Sequence, residues 1–163
     1  MKLQVAGFLD NSMVNGEGLR SVLFVSGCRH NCDGCHNHAM QDYNYGEEIE
    51  IEDIIDRIKN NMQVARGVTF SGGEPFDKAL ELKALAKALK TLGINIWCYS
   101  GYLYEDIIKS TEKLELLKYI DVLVDGKFMK DLTEDSPKYA GSRNQRVLDA
   151  KKSLENNKII KYL

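Results

Sequence analysis

Three cysteines lie within one eight-residue stretch of the chain, at Cys28, Cys32 and Cys35. Thiols at that density are typical of metal ligands rather than of packing. A cubane iron–sulfur cluster is usually held by four cysteines, so three thiolates would leave one iron with an open coordination position. That position could bind a reactant, and the number of cysteines therefore bears on the chemistry of the site.

Zinc is the alternative metal, because His30, His36 and His38 lie beside the cysteines and three cysteines with one histidine form a structural zinc set. A zinc site would usually show further ligands along the chain, yet the only other cysteine, Cys98, lies in an apolar run. Local spacing leaves an iron–sulfur cluster and a zinc ion both open. Cys98 itself is expected to be a buried, small apolar residue.

Composition restricts the class of protein. The chain has 163 residues, 44% of them apolar, which suits one domain with one core. Its net charge of -2 offers no basic surface for nucleic acid or for an anionic membrane. We find no signal peptide, no apolar stretch long enough to span a bilayer and no dense set of cysteines for disulfides. These features predict a cytoplasmic protein.

The chain alternates short β-branched runs with longer helical patterns. Strands are predicted at residues 21–25, 68–70, 94–99 and 122–124. Helices are predicted at residues 51–62, 77–92 and 104–119, the last with a break near 110–111. This alternation predicts an α/β fold with a parallel sheet, either doubly wound or as part of a barrel.

A glycine turn follows each predicted strand. The turns contain Gly27, Gly72 with Gly73, Gly101 and Gly126. The carboxyl edge of a parallel sheet is where α/β proteins place their chemistry, so we expect these turns to surround a site. The second turn is the most informative, because two adjacent glycines allow a ligand to approach the backbone and Glu74 could accept from a cationic amine.

The cysteine spacing after the first strand and the run Ser-Gly-Gly-Glu-Pro at residues 71–75 together resemble the radical S-adenosylmethionine superfamily. The resemblance implies that Cys28, Cys32 and Cys35 hold one [4Fe-4S] cluster per chain, whose fourth iron binds S-adenosylmethionine. It also implies a partial, incomplete TIM-like β/α barrel with mostly parallel strands. Residues 1–163 would form a single domain of this kind.

The resemblance implies two groups of S-adenosylmethionine contacts. They are Gly34, Cys35 and His36 around the third cysteine, and Gly72, Gly73 and Glu74 in the glycine turn. No side chain is expected to act as a catalytic acid or base beyond the cluster and cofactor site. His30 and His38 are expected to be solvated loop residues, since three thiolates suffice as ligands. Many members carry an aromatic residue where this chain has Gly34. A valine at Gly73 is expected to preserve the cluster and to weaken cofactor binding.

Further segments resemble, within the glycyl-radical activases, the activating proteins of anaerobic ribonucleoside-triphosphate reductases. They lie at residues 14–20, 23–28, 96–102, 122–128 and 141–146. This resemblance implies an oxidoreductase that generates a glycyl radical on the large subunit of such a reductase. A flavodoxin or ferredoxin would supply the electron. The basic residues Arg143 and Arg146 are either a docking surface for this partner or a solvated face.

Other functions remain open from the sequence. Within the same superfamily, the chain could activate another glycyl-radical enzyme, such as pyruvate formate-lyase, or act on a small molecule. In a different class, it could be a small binding module in which zinc, held by the three cysteines and one histidine, stabilises a loop.

Overall fold

The computed structural model describes residues 1–163 and shows an α/β protein with one seven-stranded sheet. The strands are β1 (Lys2–Ser12), β2 (Arg20–Val25), β3 (Glu47–Glu50), β4 (Gly67–Gly72), β5 (Asn95–Tyr99), β6 (Val122–Asp125) and β7 (Arg146–Asp149). The α-helices are α1 (Ile51–Asn60), α2 (Ala79–Thr91), α3 (Tyr104–Ile107), α4 (Thr111–Leu117) and α5 (Ala150–Asn156).

The strand order across the sheet is β3-β1-β2-β4-β5-β6-β7. The central strands β2, β4, β5 and β6 run parallel. At the two sides, β1 pairs antiparallel with both β2 and β3, and β7 pairs antiparallel with β6. The α/β class and the parallel centre are confirmed. The sheet is open and mixed, with β3 and β7 as its edges.

The four predicted strands are confirmed because each is a nearly continuous buried run. All four residues of β6 are buried, and so are five of the six in β4. Strands that are covered on both faces have continuous apolar sequences without alternation, and this pattern allowed the four strands to be predicted. The antiparallel strands were not predicted, since β1 is broken by a register shift between Val5 and Gly7 and β3 is a short acidic segment.

The helices follow their apolar spacing. Helix α1 buries Ile51, Ile54 and Ile58 along one face, as expected for a period of 3.6 residues. The predicted break in the third helical segment is confirmed, because Ser110 accepts a hydrogen bond from the Lys113 amide at 3.5 Å and so caps a new helix, α4.

All five α-helices contribute to one buried cluster on one face of the sheet. Side chains alternate between the faces of a strand, so Ile96 and Cys98 of β5 belong to this cluster whereas Trp97 faces the other side. A doubly wound sheet would carry helices on both faces. The helices here cover one face, and the opposite face is left to loops and to a small cluster around Trp97.

Candidate functional site

A cavity of about 620 Å³ lies at the carboxyl ends of the parallel strands. Phe24 of β2 and Tyr99 of β5 line it, and both alternate with core residues, so the cavity lies over the face of the sheet opposite the helices. Its wall includes the residues that the sequence singled out: Cys28, Cys32, Cys35, Gly72, Gly73 and Gly126. The structure therefore brings the loop that contains the three cysteines (residues 27–41, the cysteine loop) and the glycine turns to one site.

The cysteine loop leaves β2 and returns to its own starting point. The Gly27 amide donates to the Met40 carbonyl at 2.7 Å, and the Cys28 amide donates to the Gln41 carbonyl at 3.1 Å. Gly27 has φ +99°, where a side chain would be strained and would overlap the Tyr43 ring. The first cysteine is therefore held at the closed neck of the loop.

The three thiols are free and half-buried at the cavity wall. Burial raises the pKa of Cys28 to about 11, and the backbone N–H of His30 opposes that rise. Burial also raises the pKa of Cys32, opposed by the backbone N–H of Phe128. Because a thiolate is the form that binds metal, these sulfurs fit a strongly cationic group such as the irons of a cluster, which would stabilise the thiolates.

The thiol positions differ from those of a single-ion site. No three His, Cys, Asp or Glu side chains converge where one metal ion could be held. A structural zinc ion needs four ligands around one point, whereas the cysteines of a cubane cluster each bind a separate iron. Three thiols that line one cavity without converging on a single point thus fit the cluster better than the zinc module.

Gly72 and Gly73 line the cavity, and neighbouring backbone also requires both glycines. Gly72 has φ +103°, and a Cβ there would overlap the backbone of Val25. A Cβ at Gly73 would overlap the Gly27 carbonyl, next to the first cysteine. The turn therefore packs tightly against the cysteine loop, which the sequence interpretation had explained through ligand approach alone.

Glu74 lies behind the cavity wall and is fully buried. Its carboxylate accepts from the Gly101 amide at 2.7 Å, from the Ser100 hydroxyl at 3.0 Å and from the Phe76 amide at 2.9 Å. It also lies 2.6 Å from Nε2 of His30. Protein groups therefore occupy both carboxylate oxygens, and the predicted contact with a cationic amine stays a prediction.

The two predicted contacts that flank the third cysteine lie near Phe128. Gly34 has φ +72°, and a Cβ there would lie 3.2 Å from Cβ of Lys130. His36 lines the cavity, and its ring lies 4.7 Å from the Phe128 ring in a tilted arrangement. Phe128 lines the same cavity, so an aromatic side chain is present near Gly34 but comes from the segment after β6.

His30 was expected to be a solvated loop residue, and that expectation is wrong. Its side chain is only 8% exposed, because the ring lies against Tyr102 and pairs with Glu74. His38 is exposed, as expected. The difference arises from long-range contacts with residues that follow β4 and β5, which the local sequence around the histidines does not contain.

Asn37 is a second residue that the sequence analysis missed. Its side-chain amide donates to the Gly72 carbonyl at 3.2 Å and so ties the cysteine loop to the glycine turn. An asparagine two residues after Cys35 gave no distinguishing signal. Only the approach of the two loops shows its role.

The two basic residues considered for docking have different environments. Arg146 donates to the buried carboxylate of Asp125 through Nε at 3.0 Å, and to Glu105 through Nη2 at 2.6 Å. Arg143 is exposed and makes no side-chain contact of this kind. Arg146 therefore holds β7 to β6 and α3. A charge reversal at Arg146 would destabilise the fold, so it could not test docking by itself.

No helix of the protein is both long enough and apolar enough to cross a membrane.

A family model described as "4Fe-4S single cluster domain" matches residues 14–148. The matched region contains the three cysteines, the glycine turn and Phe128. It supports an iron–sulfur cluster as the group held by the cavity.

Curated proteins of three bacteria are similar to the chain over most of its length. A protein of Haemophilus influenzae is 33% identical over 148 residues, which is 86% of this chain and 94% of the relative. A protein of Vibrio cholerae is 38% identical over 143 residues, 83% of this chain and 90% of the relative. One of Escherichia coli K12 is 35% identical over 142 residues, 83% of this chain and 91% of the relative. All three are named anaerobic ribonucleoside-triphosphate reductase-activating protein.

Proposed function

This chain belongs to the family of anaerobic ribonucleoside-triphosphate reductase-activating proteins, and from that premise we propose that it is a radical S-adenosylmethionine activating enzyme. Its target would be the large subunit of an anaerobic ribonucleoside-triphosphate reductase, on which it would generate a glycyl radical. Reductase activation is what the relatives' names state, and a 4Fe-4S domain is what the family model describes.

One observation carries the proposal: the three thiols and the glycine turn after β4 line the same cavity at the carboxyl ends of the parallel strands. A [4Fe-4S] cluster on Cys28, Cys32 and Cys35 would face the space beside Gly72 and Gly73. The volume of about 620 Å³ lies within the range of small-molecule sites, so it has room for a nucleoside-sized ligand beside a cluster.

Bound there, the cluster and S-adenosylmethionine would supply one-electron chemistry, namely reductive cleavage of the cofactor to methionine and a carbon radical able to take a hydrogen atom from a glycine of the partner. The residues of this chain would bind and orient. The cysteines would hold the cluster, and the cofactor would contact Gly34, Cys35, His36, Gly72 and Gly73, with Glu74 as a further predicted contact. Phe24 and Phe128 would exclude water from the reacting atoms.

The remaining predictions complete the proposal. The electron would come from a flavodoxin or ferredoxin, and the reaction would take place in the cytoplasm. A net charge of -2 supports neither nucleic acid nor an anionic membrane as a partner. The helices on one face of the sheet support a partial β/α barrel, since a barrel carries its helices on the outside only.

The test is anaerobic reconstitution followed by reaction with the partner. The protein should take up about four irons and four sulfides per chain. With a reductant, S-adenosylmethionine and the large subunit of the reductase, it should yield deoxyadenosine and a glycyl-radical doublet in the electron paramagnetic resonance spectrum. A radical on pyruvate formate-lyase but not on the reductase would show that the protein activates pyruvate formate-lyase instead. A colourless protein that binds zinc would overturn the proposal altogether.

A further inference from the structure

We propose that Glu74 and His30 form a positioning pair that holds the cysteine loop in its cluster-binding conformation, with the carboxylate acting on that loop through the imidazole. The inference rests on the proposed function, because it concerns how the chain presents its thiols to a cluster. It assigns roles to one residue expected to contact the cofactor and to another expected to be solvated.

The first observation is that the Glu74 carboxylate is saturated by donors of the protein. Nε2 of His30 lies 2.6 Å from one oxygen of the carboxylate, which is a hydrogen-bond distance. The Ser100 hydroxyl and the Gly101 and Phe76 amides fill the remaining positions around its two oxygens. Glu74 has no exposed surface, so a ligand could reach the carboxylate only by displacing one of these donors.

The second observation is the position of His30 in the loop. It lies two residues from Cys28 and two from Cys32, so the position of its ring fixes the backbone between the first two ligands. The ring lies edge-on against Tyr102, with the ring centroids 4.5 Å apart. Any side chain at Gly101 would displace it, since a Cβ there would lie 2.5 Å from the ring. The imidazole is therefore enclosed on several sides.

The third observation is that the pair joins three separate segments. Glu74 follows β4, Ser100 and Gly101 follow β5, and His30 belongs to the loop after β2. A single buried carboxylate thus sets the separation of the cysteine loop from two of the glycine turns. Groups that orient metal ligands in this way commonly change metal affinity about 10–100-fold when they are removed.

The experiment compares His30→Ala with His38→Ala, a matched control in which the exposed histidine of the same loop is removed. Each protein is incubated anaerobically with limiting iron and sulfide, and iron per folded chain is measured. His30→Ala should need about tenfold more iron for half-maximal loading, and His38→Ala should match the parent.

Two further variants guard against a folding defect. His30→Gln keeps an N–H donor that can reach Glu74, and it should restore most of the loading. Glu74→Gln should lower loading at least as much as His30→Ala does, because it also disturbs the hydrogen bonds from Ser100, Gly101 and Phe76. The double variant should show less than the sum of the two single effects, because the two changes share one interaction. Thermal unfolding of each cluster-free protein shows whether it is folded before loading.

Each outcome decides between the two proposals. A parent protein that takes up no iron would overturn the proposed function, and this inference with it. A parent that loads normally, with His30→Ala indistinguishable from His38→Ala in iron content, would overturn the inference alone. Glu74→Gln that loads iron normally but loses S-adenosylmethionine binding would also overturn it, because the carboxylate would then act directly on the cofactor.

Discussion

Two charged side chains are buried at opposite ends of the same parallel strands. Arg20 begins β2 and is 3% exposed, whereas Glu74 follows β4 and is fully buried. None of the hydrogen-bond acceptors of Arg20 is a carboxylate, and most donors to Glu74 are neutral groups of the protein. Each charge is thus stabilised mainly by oriented dipoles.

The two charges differ in what they hold together. Arg20 donates to Thr69 and to the Val68 carbonyl on β4, and to Asn95 at the start of β5, all between 2.9 and 3.0 Å. Apart from the Glu17 carbonyl, its partners therefore lie on strands, and the Trp97 ring covers it at 5.5 Å. Glu74 instead holds loops that line a cavity.

The comparison shows that the same device, a buried charge with a full set of hydrogen bonds, can stabilise a fold at one end of a sheet and position a site at the other. Changes near Arg20 should then alter stability without altering the cluster. Changes in the cysteine loop and the glycine turn should alter the cluster.

The largest expected effect is at the cysteines. Cys32→Ala should abolish cluster binding, because only two thiolates would remain at the cavity. Iron and sulfide per chain after anaerobic reconstitution measure it. The control is Cys98→Ala, which removes a fully buried thiol from β5 at a cost of about 1 kcal/mol of unfolding free energy and should leave iron content unchanged. Iron that survived the first change and fell with the second would reverse the ligand assignment.

The next effect is at the opposite end of the strands. Arg20→Met should lower the unfolding free energy by about 3 kcal/mol, since several buried carbonyl groups would lose their donor. Burial lowers the pKa of Arg20 to about 10, so the buried charge itself costs stability. Removal of the charge therefore offsets part of the lost unfolding free energy, but a methionine cannot donate hydrogen bonds to the carbonyls. Urea unfolding of the cluster-free protein measures the change.

The exposed Arg66 provides the control for this prediction, because Arg66→Met should change stability by less than about 0.5 kcal/mol. Iron per folded chain should equal that of the parent in both variants. If Arg20→Met folded normally and yet failed to load iron, the separation of the two ends would be wrong.

The sequence predicted the parallel centre of the fold because buried strands and amphipathic helices have periodic patterns. It predicted the gathering of cysteines and glycines because the carboxyl ends of parallel strands meet at one edge. It could not predict β1, β3 and β7, since antiparallel strands near a sheet edge are partly polar and take their register from partners distant in the chain.

Within the site, the cysteines and glycines that the sequence identified by residue type do lie at the cavity. The sequence did not identify residues whose role depends on a contact with a distant part of the chain. His30 and Asn37 have nothing unusual in their local sequence. Their roles follow from Glu74 and Gly72, which lie 44 and 35 residues further along the chain. Glu74 was recognised as important, but the direction of its carboxylate could not be read from a motif.

The smallest expected effects come from two glycines that allow the two ends to be compared directly. A Cβ at Gly67 would lie 2.5 Å from Cζ of Arg20, and a Cβ at Gly73 would overlap the Gly27 carbonyl. Each alanine variant should lose about 1–3 kcal/mol of unfolding free energy through overpacking.

Gly67→Ala should keep the iron content of the parent, because a side chain gives way there. Gly73→Ala should lower it, because the backbone beside Cys28 must shift. This revises the expectation that a side chain at Gly73 affects only the cofactor. Equal iron content in the two variants would show that the glycine turn does not act on the cysteine loop.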